Sequence, residues 1–224
     1  MKTRNMQLVS LHIWRKYSIT LDRINRNPLC KTFSQQNQNV LALPNRSAFF
    51  KYVNENFIKN ESIDYLEFGV YQGGSIKEWS RINLDIESKF YGFDTFTGLP
   101  ENWFSQFPKG AFDAGGVVPS IEDKRITFYK GLFQDTLPNF LKNFSRRSKL
   151  VVFIDADLYS STLYVLTNIH PLLREGDILM FDDFLDPVGE FKAFIDYTSC
   201  HRFYPSPIAT MKNKKLIERI AFIF

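Results

Sequence analysis

A doubly wound α/β domain on a mostly parallel sheet is predicted by three observations. Five short apolar runs recur along the chain, helix-compatible segments fall between them, and each run ends in glycine or carboxylate residues. The 224 residues are enough for one large domain, or one domain with a short appendage, and too few for two full ones. With 44% hydrophobic, 16% aromatic and 23% charged residues, the chain has the composition of a folded protein, far from disordered or collagen-like sequences. Its longest apolar runs, such as Leu150 to Ile154, are a fraction of the roughly 20 residues that cross a bilayer, so no membrane span and a cytoplasmic location are expected. Cys30 and Cys200 match neither a disulfide framework nor a zinc site and read as inert thiols.

From the front of the chain, residues 1–60 hold ten Lys or Arg against Asp22 and Glu55, about +8, so the remaining residues sum to about −4 and the net is +4. The segment Leu8 to Ile13 is too short for a secretory signal, and a solvated helical extension is favoured over a targeting peptide, a membrane-surface helix or a nucleic-acid arm. Ser34 to Arg46, rich in Gln and Asn and closed by Leu43-Pro44, reads as a linker. These features divide the chain into a basic extension and linker over 1–46 and a catalytic-type α/β domain over 47–224.

Ser47 to Lys59 places Phe49, Phe50, Val53 and Phe57 at helical spacing. The strands follow at Tyr65 to Phe68, Phe90 to Phe93, Ile126 to Tyr129, Leu150 to Ile154 and Ile178 to Phe181. Between and after them, Ser75 to Ile82, Leu137 to Phe144, Ser160 to Arg174 and Gly189 to Tyr197 read as helices. Runs that are apolar throughout, rather than alternating, are buried on both faces, as parallel strands covered by helices are. A last strand is expected at Arg219 to Phe224, beside a weaker one near Phe203 to Ile208.

The chemistry sits where the strands stop, at the edge where an open α/β sheet binds its ligand. The ends read Glu67-Phe68-Gly69, Asp94, Gly131, Asp155-Ala156-Asp157 and Asp182-Asp183. Four acidic ends on one edge would repel one another unless a cation or hydrogen-bond donors sat among them, which implies a ligand and a metal. The first turn, Glu67 to Ser75, has Tyr71 where a dinucleotide fingerprint needs its second glycine, and no P-loop pattern occurs, so NAD and nucleoside triphosphate hydrolysis are disfavoured. The glycines suit a ligand without phosphate that carries a positive group near Glu67, or they only make a tight strand-to-helix turn. Ser75 and Glu78 are spaced as a capping box for the helix that follows. Asp94, 27 residues after Glu67, is placed to accept both hydroxyls of a ribose.

The ordered series EFGVYQGGS, GFDTFTGLP, GLFQDTLP, IDADLYSST and FDDF resembles the macrocin O-methyltransferase group, the TylF/MycF-like class I S-adenosylmethionine methyltransferases, over roughly residues 47–200. The resemblance implies a Rossmann-like sheet of about seven strands with an antiparallel last strand, S-adenosylmethionine as donor, a divalent cation such as Mg²⁺, and a small-molecule hydroxyl as acceptor, often on a sugar of a natural product. A homodimer is compatible with it. Carried onto this chain, it puts Glu67, Gly69 and Gly73 at the methionine part of the donor and Asp94 at its ribose, with Tyr71, Ser75 and Thr95 also binding the donor. Gly131, Phe133 and Gln134 fall near the adenine, with Asp155 at the donor as well. Asp155, Asp182 and Asp183 take the place of metal ligands and Asp157 that of the base.

The proposed chemistry accounts for those residue types. Methyl transfer from a sulfonium needs alignment of the acceptor oxygen and removal of its proton rather than a covalent nucleophile. An all-carboxylate donor set favours Mg²⁺ over zinc. The long segment Thr95 to Asp123, with Trp103, Phe104, Phe107 and Phe112, reads as a lid over the acceptor or as a surface excursion packed on itself. His170, before Pro171 in a helical run, reads as a packing or capping residue. Rival readings are an Asp-x-Asp phosphatase, a metal-dependent glycosyltransferase and a non-enzymatic Rossmann-like binding module. The phosphatase pattern needs Asp-x-Asp on the first strand and an intervening lysine, whereas two strands precede Asp155 and no Lys lies between Asp157 and Asp182. The glycosyltransferase would leave Glu67, the glycine turn and Asp94 unexplained. Basic charge without clustered stacking aromatics argues against nucleic acid as a partner.

Overall fold

A computed structural model describes residues 27–103, 107–213 and 216–224. The expected helical extension over the first 26 residues, and Phe104 within the lid, lie outside the described residues. The elements are α1 (Pro28–Gln36), β1 (Ala42–Leu43), α2 (Arg46–Val53) running into a π-turn (Asn54–Ile58), β2 (Ile63–Phe68), α3 (Gly74–Ile82), β3 (Lys89–Asp94) and β4 (Ile126–Lys130). They continue as α4 (Phe133–Asn143), β5 (Lys149–Ile154), α5 (Tyr159–Ile169) with a 3₁₀ turn (His170–Leu172), β6 (Ile178–Phe181), α6 (Glu190–His201), β7 (Ser206–Asn213) and β8 (Leu216–Ile223).

The eight strands form one sheet in the order β1-β7-β8-β6-β5-β2-β3-β4. Every pairing is parallel except those of β8, which runs antiparallel to both β6 and β7. The doubly wound sheet with its reversed last strand is therefore as expected, and β1 adds an edge strand. From β2 the chain steps outward to β3 and β4, then returns to the other side of β2 for β5 and β6. The carboxyl ends of β2 and β5 thus flank the topological switch point, where ligands of such sheets bind.

Alternation along the strands feeds two cores. Leu150, Val152 and Ile154 of β5 pack on one face with Leu66, Phe68 and Phe93 beneath α4, α5 and α6. Val151 and Phe153 point the other way, joining Ile63, Tyr65, Phe90 and the α2 and α3 residues Phe50 and Trp79. At about 1.5–3 kcal/mol for each fully buried large apolar side chain, this two-sided burial is what holds the strand ends rigid. Across β2, β3 and β4 the rings of Phe68, Phe93 and Tyr129 stack at 4.8 and 4.9 Å, fixing the register on that side.

The segment read as a linker is instead part of the fold. Asn27 caps α1 by accepting from the backbone N–H of Leu29 and Cys30, and Phe33 on that helix packs on Phe184 and Phe191 at 5.2 and 5.5 Å. Leu41 and the short β1 then pair with β7, Thr210 N–H donating to Leu41 O at 2.8 Å. Gln/Asn-rich composition hid this, because the ordering comes from a few apolar side chains and from backbone bonds to a strand 168 residues later. Cys30 is fully buried, and burial pushes its thiol up to about 12, in keeping with an inert role. Among the described residues no helix is long and apolar enough to cross a membrane.

Candidate active site

The strand ends are brought level by backbone bonds from one strand to the next. Gly69 N–H donates to Phe93 O, Asp155 N–H to Phe68 O, Asp182 N–H to Ile154 O and Gly131 N–H to Asp94 O, all at 2.9–3.0 Å. Each donor is the residue at which its chain leaves the sheet, so Asp155 and Asp182 emerge on one rim with Gly69 between their strands and β3. Gly69 is required there. At φ +93° it passes so close to β5 that a Cβ would lie 1.8 Å from Asp155 O.

Asp94 closes the glycine turn. Its Oδ2 accepts from the Val70 and Tyr71 N–H groups and its Oδ1 from Phe96 N–H, each at 2.7 Å. A carboxylate has about four lone-pair sites, so acceptor capacity remains toward the cavity that Asp94 lines. The capping box does not form. Helix α3 begins at Gly74, one residue earlier than expected, with Gly73 as an N-cap lacking any side-chain bond. Arg46 of α2 takes both side chains instead, its Nη1 donating to Ser75 Oγ at 3.2 Å and its Nε to Glu78 Oε2 at 3.0 Å.

A cavity of about 790 Å³ opens at the switch point. Of the residues singled out in the sequence, Gly69, Tyr71, Asp94, Thr95, Phe133, Gln134, Asp155, Asp157 and Asp182 line it. Glu67, Gly73, Ser75, Gly131 and Asp183 are not in the lining. The opposite wall is the 95–123 segment, through Leu99, Pro100, Phe107, Pro108 and Phe112, so this segment does face the cavity. Trp103 anchors it: its ring packs with Phe107 and Leu158, and Nε1 donates to the fully buried Asp186 at 2.7 Å. His170 lies elsewhere, hydrogen-bonded to the Tyr197 hydroxyl at 2.7 Å, and acts in packing.

Asp155, Asp157 and Asp183 each offer an oxygen within 4.8 Å of the others. Asp182, expected in that set, sits beside it and is ion-paired to Arg219. Against the burial that works to discharge it, Arg219 is held protonated by Asp182 and Glu218. Asp157 adopts a left-handed backbone, φ +58°, which sharpens the turn between Asp155 and α5. The cluster offers only hard oxygen donors, which fit a divalent cation of the magnesium or calcium type; Asp155 and Asp183 are the expected ligands in it, and Asp157, expected as the base, stands in the same cluster.

Two buried acids escaped the sequence reading. Glu190, at the first position of α6, accepts from Ala156 N–H at 3.1 Å and Asp157 N–H at 3.4 Å and so fixes the Asp155–Asp157 turn. Burial, and then Asp183, Asp155, Asp157 and Asp182 around it, push its carboxyl well above the usual range. Asp186 is the second. The crowding at Gly189, where a Cβ would stand 2.3 Å from Asp157 O, is the local signature of this contact. Glu67 is fully buried beneath the glycine turn, with Tyr65 donating to Oε2 at 2.6 Å. Burial pushes it up to about 8, against the Tyr65 bond and Arg46, which favour its charged form.

A family described as a methyltransferase domain matches residues 66–184. An 8-demethyl-8-(2,3-dimethoxy-alpha-L-rhamnosyl)-tetracenomycin-C 4'-O-methyltransferase of Streptomyces olivaceus is 28% identical over 142 residues, 54% of this chain and 52% of that protein. Demethyldecarbamoylnovobiocin O-methyltransferase of Streptomyces niveus is 26% identical over 159 residues, 59% of each. The chain thus matches between half and three-fifths of the length of these relatives. Among solved structures, the O-methyltransferase NovP superposes with a TM-score of 0.62 at 20% identity, covering 80% of this chain and 78% of its own. The calicheamicin methyltransferase CalS11 gives 0.61 at 18%, covering 92% and 90%. Both structural likenesses speak to the fold. The family match spans more than half of the chain and contains the glycine turn, Asp94 and the whole acidic cluster, and the protein belongs to that methyltransferase-domain family.

Proposed function

We propose that the protein is an S-adenosylmethionine-dependent O-methyltransferase of the TylF/MycF-like kind, acting on a hydroxyl of a small molecule, with a sugar or natural-product glycoside as the acceptor class. One observation carries this reading: a single cavity is lined both by the Asp94-closed glycine turn, through Gly69 and Tyr71, and by Asp155 and Asp157 of the acidic cluster. The relatives' names, an O-methyltransferase of a rhamnosyl-tetracenomycin and one of demethyldecarbamoylnovobiocin, support the acceptor class.

When bound, the donor supplies a methyl group on a sulfonium and a magnesium ion supplies charge that acidifies a neighbouring hydroxyl. The chain's own residues do the rest. Asp94 would accept from ribose hydroxyls and Phe133 and Gln134 would line the adenine end, while Gly69 lets the turn pass close against β5. Asp155 and Asp183 would hold the cation, with Asp182 adjoining and Arg219 keeping one of its oxygens in place. Asp157 takes the acceptor's proton, its backbone fixed by Glu190. The aromatic lid, latched by Trp103, keeps water away from the reacting pair.

The test has two parts. Calorimetry should show S-adenosylmethionine binding in the micromolar range or tighter. Release of S-adenosylhomocysteine across a panel of hydroxylated glycosides and phenols should then identify acceptors, with turnover lost on chelation and in Asp182→Ala and donor binding retained in both cases. Absence of donor binding refutes the reading. Undiminished turnover after chelation removes the metal from it.

A further inference from the structure

The charge and the apolar surface of the cavity together restrict what can enter beside the donor. Asp94, Asp113, Asp155, Asp157 and Asp182 line it, and among the described residues of the lining there is no Lys, Arg or His. Arg219 pairs with Asp182, and a divalent cation together with the donor's sulfonium would not balance the remaining four carboxylates. The lid wall is held by its own backbone: Leu99 N–H donates to Ala111 O at 2.8 Å, Gly110 N–H to Leu99 O at 2.9 Å and Trp103 N–H to Phe107 O at 2.9 Å. On this frame Phe112 takes a left-handed backbone, φ +62°, which a bulky side chain adopts only under constraint. Its ring stacks on the buried Phe107 at 5.3 Å and is still 40% exposed where it lines the cavity. The next residue, Asp113, uses Oδ1 to accept from Gly115 N–H at 2.7 Å and keeps acceptor capacity for the cavity it also lines.

A flat ring next to a carboxylate complements a pyranose, whose C–H face packs on the ring while its hydroxyls donate to the carboxylate. We propose that Phe112 and Asp113 form the subsite for the acceptor sugar, and that the acceptor is an uncharged glycoside whose aglycone lies along the apolar wall of Leu99, Pro100 and Pro108, not a nucleotide-linked sugar. This rests on the methyl-transfer reading above and narrows its acceptor class. A diphosphate would bring its negative charges into a lining of the same sign, where its lost water is replaced by no guanidinium or ammonium among the described residues. The order of reactions follows from that exclusion. Methylation comes after a glycosyl transfer in which a hydroxyl of the aglycone displaces the nucleoside diphosphate from the anomeric carbon and gives up its proton, so a reaction of that class supplies this substrate.

The test is calorimetry on the full chain saturated with S-adenosylhomocysteine in magnesium chloride. The probes are phenyl glucoside and phenyl galactoside, the uridine diphosphate derivatives of the same two sugars, and phenol. At least one phenyl glycoside should bind roughly tenfold or more tighter than its nucleotide counterpart and than phenol. Phe112→Ala should weaken that glycoside roughly twofold to tenfold and Phe112→Tyr should restore it. Asp113→Asn, which keeps an oxygen for Gly115 N–H, should weaken it by a similar factor, roughly twofold to tenfold. The affinity for S-adenosylhomocysteine should stay unchanged in all three variants. Nucleotide sugars or phenol binding as tightly as the glycosides, or no glycoside binding at all, overturns the proposal. So does an unchanged glycoside affinity in Phe112→Ala, or a loss there that S-adenosylhomocysteine shares equally, the mark of a collapsed lid. Failure of S-adenosylhomocysteine to bind the wild-type protein overturns the donor reading itself, and that result is read before any sugar is added.

Discussion

Replacing Glu67 by Gln should stabilise the ligand-free protein, and by more as the pH rises. The amide keeps an oxygen for the Tyr65 hydroxyl, which donates to Glu67 Oε2 at 2.6 Å, and it nearly conserves volume in a site with no solvent exposure. What changes is the proton. An unfolded glutamate titrates near 4.5, and burial raises the folded group to about 8. Between those values the folded chain holds a proton that the unfolded chain has released, so stability falls with rising pH through that window. At pH 7 linkage puts the cost at about 3 kcal/mol, growing to about 5 kcal/mol above pH 9, where the folded carboxyl is ionised too. Full burial leaves no solvent screening to discount. The assay is urea unfolding of the wild-type and Glu67→Gln proteins at steps between about pH 5 and pH 9. Groups common to both cancel in the difference, which should widen by about 1.4 kcal/mol per pH step of one through the middle of the range and level off above pH 8. A difference that stays flat across the range would show that Glu67 is ionised in the folded protein at all these pH values and would refute the burial argument.

Three further outcomes are expected of the packing and hydrogen bonds around the site and the core. Gly69→Ala places a Cβ 1.8 Å from Asp155 O at φ +93°, so the ends of β2 and β5 must part; a loss of roughly 3 kcal/mol or more in denaturant unfolding is expected, and an unchanged midpoint would contradict the close approach. Trp103→Phe leaves Asp186 buried without its 2.7 Å donor, at a cost of about 1–3 kcal/mol confined to the lid, so limited proteolysis within 95–123 should accelerate more than global unfolding does. Arg146→Met removes the guanidinium that forks both oxygens of Asp177 at 2.5 and 2.6 Å in a site where the carboxylate is 1% exposed; about 3–5 kcal/mol should be lost at pH 7, whereas the double variant Arg146→Met with Asp177→Leu should recover a good part.

What the sequence revealed of the site and what it concealed have a common physical origin. Asp94, Asp155 and Asp182 were legible because each follows a run buried on both faces. Burial fixes where the strand stops, and the bond from each first loop residue to the neighbouring strand's last carbonyl sets the rim. Local pattern was sufficient there, since strand, end and carboxylate are contiguous. The capping box failed for the opposite reason. Ser75 and Glu78 have the right spacing, but a guanidinium from 29 and 32 residues earlier in the chain competes for both side chains and wins, a contest no window around residue 75 can show.

The same distinction separates residues that face the cavity from those that support it. Asp186 is reached by Trp103 from 83 residues away and Glu190 by Asp157 from 33, and neither stands at a strand end. Both are acids in a region already crowded with carboxylates, where charge repulsion alone would argue against more. They are tolerated for different reasons. Asp186 accepts an indole N–H along with the Val188 N–H, and burial and the surrounding carboxylates push Glu190 toward its protonated form. A neutral Glu190 can pin the Asp155–Asp157 turn without adding repulsion to the cluster in front of it, and an ionised one could not. Glu190→Gln should therefore preserve the turn and the activity, whereas Glu190→Ala, which leaves the Ala156 and Asp157 N–H groups without an acceptor, should disorder the Asp157 backbone and lower kcat with little change in donor affinity. Equal loss in the two variants would mean that the charge of Glu190, not its hydrogen bonds, is what the site uses.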